Sequence, residues 1–130
     1  MIILAIRTDS PVAELYLYDD LSQLQHITWE AHRQLADTIH TTILDLLTKN
    51  NYLWNDIGGI VMYQGPGSFT GLRIGCSVAN ALASGLSVPI VGTTTDDWLS
   101  SGIQQLMGGA NDKIIVPIYG AEANITLPKK

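Results

Sequence analysis

Basic side chains are scarce in this chain. Seven lysines and arginines stand against 12 aspartates and glutamates, giving a net charge of −5 and a pI near 4.8. The clustered cations that grip nucleic-acid phosphates are therefore missing, which argues against this lobe supplying the main grip on a nucleic acid. Cysteine is scarcer still. Cys76 stands alone and cannot form an internal disulfide, so a reducing cytoplasm is the expected location. No run approaches the roughly 18 apolar residues of a membrane span, and no secretory signal pattern opens the sequence. What is there is an ordinary globular composition, 46% hydrophobic and 15% charged over 130 residues. That suits one compact lobe, with a slight apolar excess that points to a surface covered by a partner.

Met1 to Ile6 is a continuous apolar run, as expected of a central strand buried on both faces. Val12–Tyr18 and Leu24–Trp29 follow after short polar turns, which predicts an antiparallel three-strand meander. From Gln34 to Lys49, Leu35, Ile39, Ile43, Leu46 and Leu47 recur at helical intervals and Asn50-Asn51 ends the pattern. Next come a strand at Ile57–Tyr63, a helix at Phe69–Ser84, a short strand at Val88–Val91 and a helix at Asp96–Met107 capped by Thr94 or Thr95. The order predicts an α/β lobe with a mixed five-stranded sheet and helices on both faces, its later strands joined by right-handed crossovers. Residues 1–111 form the lobe, and residues 112–130, with a last apolar run at Ile114–Tyr119, form a tail or the start of something further.

The segment Gly65-Pro66-Gly67-Ser68-Phe69-Thr70-Gly71-Leu72-Arg73-Ile74-Gly75 lies between a predicted strand and a predicted helix. Its amides can hold an anion at the helix start, or its glycines can simply make a tight turn capped by Ser68. It is neither a P-loop nor a dinucleotide fingerprint, because no Gly-Lys-Ser/Thr ends it and its glycine spacing is too long. Along the helix, Ile74, Val78, Ala81 and Leu82 share one face, and Gly71, Gly75, Ala79 and Ala83 form an adjacent stripe. The larger residues are expected to lie on the sheet. The small stripe lets another helix approach closely, either a partner's or the first helix of this lobe.

GPGSFTGLRIG, Gly65 to Gly75, resembles the signature of the TsaB (YeaZ) family, the dimerisation subunit of the bacterial tRNA threonylcarbamoyladenosine machinery. Leu4-Ala5-Ile6-Arg7-Thr8, His32 with the helix Leu35–Leu47, Ala79–Pro89 and the switch strand near Ile114 extend the likeness. The resemblance implies a single actin/Hsp70/sugar-kinase-like (RNase H-like) lobe with the second lobe missing. It also implies a non-catalytic scaffold that pairs with TsaD, which transfers the threonylcarbamoyl group to the adenosine beside the anticodon, alongside the ATPase TsaE. The expected docking residues are Leu35, Ile39, Ile43 and Leu46 on the first helix and Gly71, Leu72, Gly75, Ala79 and Ala83 on the second. The same surface could make a homodimer.

Two departures from the family pattern matter. Arg7 stands where the family has an aspartate, and Tyr119-Gly120-Ala121-Glu122 replaces the opening of the second lobe. A cation at position 7 repels Mg²⁺ but suits a bare phosphate. The rival reading is accordingly a nucleotide-binding fragment in which Arg7, Thr8, Gly67, Ser68 and Thr70 hold phosphate, with ATP or ADP at the partner interface. A degenerate paralogue that only self-associates is the other alternative. No metal is expected, since His26, His32 and His40 lack ligand spacing. Cys76 reads as a packed side chain, and Asp96-Asp97 as complements to a helix dipole.

Overall fold

The computed structural model describes residues 1–119. Strand β1 (Ile2–Arg7) is followed by β2 (Val12–Asp19) and β3 (Ser22–Glu30), then by helix α1 (Leu35–Lys49). Strand β4 (Ile57–Tyr63), helix α2 (Phe69–Leu86), strand β5 (Ile90–Thr93) and helix α3 (Trp98–Met107) complete the order. The five strands make one sheet in the order β3-β2-β1-β4-β5. The meander pairs antiparallel, with Leu4 opposite Leu17 and Leu15 opposite Ile27, whereas β1·β4 and β4·β5 are parallel. Helices α1 and α2 cover one face over Leu4, Ile6, Leu15, Leu17, Ile60 and Met62, while α3 covers the other over Ile3, Ala5, Val61 and Val91. The mixed sheet with helices on both faces, and the central place of β1, are as the apolar runs predict.

Several boundaries differ, each for a local reason. β5 begins at Ile90 rather than Val88, because the Val88 amide donates to Ala83 O at the end of α2 and Pro89 has no amide to give. α2 runs past Ser84 to Leu86, and Ser87 takes the left-handed conformation that ends it, with its amide on Ala83 O and Ser84 O. α3 starts at Trp98 with Asp97, not Thr94 or Thr95, at the cap position. Thr95 adopts a positive φ of 71° and gives its hydroxyl to the Asp97 carboxylate at 2.5 Å.

Ile114–Tyr119 forms no ladder with the sheet. It is an extended segment pinned by side-chain amides. Asn80 on α2 grips both the amide and the carbonyl of Ile115, at 2.8 Å each. Gln64 gives its side chain to Val116 O at 3.0 Å and its carbonyl to the Ile118 amide at 2.7 Å. Ile115 is buried in the α1–α2 core, and Ile114, Val116 and Ile118 face outward. Gly120-Ala121-Glu122 and the rest of the tail lie outside the described residues.

Candidate partner-docking site

Helix α2 lies on the sheet by its small side. A Cβ on Gly71 would strike the carbonyl oxygen of Thr8, and one on Gly75 would strike the Thr8 hydroxyl and Met62. Thr8 itself is fully buried and donates its hydroxyl to Gly71 O at 2.7 Å. The stripe Gly71, Gly75, Ala79 and Ala83 thus brings α2 close to β1 and β4, with Leu72 and Cys76 beside it in the interior. This corrects the expected docking surface. Leu72, Gly75, Ala79 and Ala83 are buried and Gly71 is half-buried, so none forms an open face. Leu35, Ile39, Ile43 and Leu46 on α1 are at most 4% exposed and belong to the same core. The pattern was right about which residues are apolar and wrong about what they meet, because α1 and the sheet already fill that space.

The open surface of these two helices lies one step round each. Ala36 and His40 of α1 and Thr70, Arg73, Ile74, Ser77 and Val78 of α2 line a groove of about 400 Å³. Leu44, four residues beyond His40 on the same side of α1, is 45% exposed. Phe69 at the start of α2 is also exposed, with its ring 4.4 Å from that of Tyr119 and the Arg73 guanidinium 5.3 Å above it. These residues carried a weak signal in the sequence: those of α2 are the larger or polar members of a helix whose small stripe went inside, and those of α1 lie beside its buried leucines and isoleucines.

The residues expected to hold phosphate come together but are already partnered. Arg7 makes a bidentate pair with Asp9 (2.8 and 3.1 Å) and lies 4.0 Å above the Tyr63 ring. That bond to Asp9 holds the guanidinium above its ordinary pKa. The Thr8 hydroxyl goes to Gly71 O and the Ser68 amide to Asp9 O, while Gly67 lies against Asp9. Ser68 and Thr70 are exposed and border a second hollow of about 350 Å³ with His32 and Arg33. Arg7 is therefore already paired, and Asp9, two residues away, is the partner that sequence reading overlooked.

A further cluster was also missed. His26 stacks flat on Tyr16 (4.0 Å, 3°), and both reach Glu14 Oε1, the tyrosine hydroxyl donating at 2.8 Å and the imidazole Nε2 lying at 3.2 Å. Trp98 meets Tyr16 and Tyr63 edge-on. Burial, then the bond to Glu14, push the Tyr16 phenol well above its usual range. The cross-strand pairing of Tyr16 with His26 brings these residues together, and only the register reveals it. His32 lies instead beside Glu30, and His40 in the helix groove.

Comparison with known proteins fits this lobe. The family model described as TsaD, tRNA N6-adenosine threonylcarbamoyltransferase, matches residues 28–113. The chain belongs to this family. Within the family, its likeness along nearly the whole chain is to TsaB. It is 32% identical over 133 residues to the tRNA threonylcarbamoyladenosine biosynthesis protein TsaB of Escherichia coli (strain K12), covering 94% of this chain and 54% of that protein. YeaZ from Pseudomonas aeruginosa superposes with a TM-score of 0.68 at 24% identity, over 82% of this chain and 50% of that one. Thermus thermophilus RuvC superposes with a TM-score of 0.52 at 10% identity, over 95% of this chain and 89% of that one. The two structural likenesses show the fold alone, an RNase H-like lobe. The chain spans about half the length of the curated TsaB relatives it matches, 54% and 51%.

Proposed function

We propose that this chain acts in tRNA threonylcarbamoyladenosine biosynthesis as a scaffold that docks a TsaD-like catalytic protein and performs no chemistry itself. The observation that carries this reading is the TsaB likeness over 94% of the chain. The groove between α1 and α2 gives it a place, because apolar Ala36, Ile74 and Val78 there are flanked by His40, Arg73 and Ser77. A partly apolar strip with a polar rim suits association with another protein. A TsaE-like ATPase and tRNA enter only through the assembled complex, in the cytoplasm, and nucleotide is needed at most at the partner interface. No described helix is long and apolar enough to cross a membrane.

Light scattering of the chain mixed with a TsaD-like protein tests the proposal. A defined hetero-complex is expected, and Ala36→Arg with Ser77→Arg, both exposed positions, abolishes it while leaving the circular dichroism of the chain unchanged. Absence of a complex, with or without ATP and a TsaE-like protein, rejects the function. A complex indifferent to the two arginines rejects the groove.

A further inference from the structure

The two edges of the sheet are treated differently. Along β5, Asp112 donates its amide to Ile90 O at 2.8 Å, Asn111 Oδ1 accepts from the Ile90 amide at 3.2 Å, and Asp112 Oδ2 accepts from the Gly92 amide at 2.9 Å. That edge is closed by the Asn111-Asp112 segment, through one main-chain amide and two side chains, and offers no strand a place. At the opposite edge, β3 pairs only with β2. Among the described residues, no hydrogen-bonding group from outside the β2 ladder meets its main chain.

Edge strands are usually protected by lysine, proline, a β-bulge, an inward-pointing charge, shortness or a covering element. β3 is 9 residues long, reads SQLQHITWE, and contains no lysine, arginine or proline. Its one irregularity is at Leu24, left out where Leu17 pairs with Gln25 and Tyr18 with Gln23. Gln25 to Glu30 is regular, and Leu24, His26 and Thr28 are exposed. Helix α3 packs over β4 and β5, so it does not stand over the β3 side of the sheet.

We infer that β3 pairs with β3 of a second copy of this chain, antiparallel about a two-fold axis at Ile27, to make one continuous sheet. A row of free amides and carbonyls accepts only another extended strand. β3 is itself such a strand, and its sequence is compatible with its own reverse. Centred on Ile27, the pairing sets Ile27 against Ile27 of the second copy, Gln25 against Trp29 and His26 against Thr28, within the regular stretch that ends at the Leu24 bulge. No like charges meet. Of the chain's 12 acidic residues β3 carries only Glu30, so the overall negative charge bears little on this seam. The surface is separate from the α1–α2 groove, so the inference stands or falls independently of the proposed function.

Sedimentation velocity over a wide concentration range, with amide hydrogen exchange on the unmodified chain, decides the matter. A reversible dimer is expected, with slower exchange of the outward β3 amides at high concentration than at low. His26→Lys with Thr28→Lys places lysines opposite one another across the seam and should weaken dimerisation about tenfold. His26→Lys with Thr28→Glu makes each contact an opposite-charge pair and should restore it. A monomer at every concentration overturns the inference, as does a dimer that ignores both double variants. Where the Lys/Lys variant fails to fold, the exchange measurement alone decides: unchanged β3 protection on dilution overturns it.

Discussion

The Thr8 hydroxyl and the missing side chains of Gly71 and Gly75 act as one joint, tying the first turns of α2 to the end of β1. Cys76, the next residue along, is 2% exposed. Burial raises its thiol pKa from the usual 9.0 to about 11. The folded state therefore keeps the proton that the unfolded state gives up. Below pH 9 the thiol leaves stability unaffected by pH, and its contribution is lost as pH rises from about 9 through 11. At pH 8 we expect the native thiol to react with a disulfide reagent roughly a hundredfold more slowly than an unfolded one, with the free rate returning in urea. Native labelling at the unfolded rate would show that this side of α2 does not face the interior. Single residues were legible in the sequence where their chemistry is local, as with Cys76. Arg7 was not, since its role depends on Asp9 turning back toward it.

At the scale of elements, periodicity identified every helix and strand of the sheet but not which way α2 faces. Both of its sides are apolar. Hydrophobicity favours placing Ile74, Val78 and Leu82 inward, yet the close approach of Thr8 and Met62 sets the small stripe against the sheet, and steric fit prevails over area. Val78 is still buried in the core, while Ile74 and Leu82 remain half-buried at its margin. Two other helix glycines separate these effects. A Cβ on Gly85 meets nothing within 4 Å, whereas one on Gly102 would collide with Val61. Gly85→Ala is expected to stabilise the fold by about 0.5–1 kcal/mol through helix propensity, and Gly102→Ala to destabilise it by about 1–3 kcal/mol through overpacking. Urea unfolding measures both, and equal signs would contradict the placement of α2 or α3.

For the whole molecule, one sheet is shared by two cores, with the strand residues alternating between them. Neither core exists without the sheet, so the lobe is expected to unfold in a single transition. Trp29 and Trp54 pack on the α1–α2 side and Trp98 on the α3 side. Variants retaining only Trp29 or only Trp98, with phenylalanine elsewhere, should therefore give fluorescence melts that coincide with each other and with circular dichroism. Separate midpoints would mean that one face opens before the other. The sequence revealed the mixed sheet and its helical faces because alternation and long apolar runs are properties of the chain itself. It could not reveal the groove proposed for docking, which is lined mostly by residues outside the core.

Asn111 and Asp112 determine how far assembly through the sheet edges can grow. With β5 stoppered, each copy would be monofunctional in the polymer chemist's sense: among the described residues β3 is the strand edge left open, so joining through it stops at two units. Displacing the Asn111-Asp112 segment, main chain included, would make the same fold a bifunctional monomer, with a strand edge at each end and a route to fibrils.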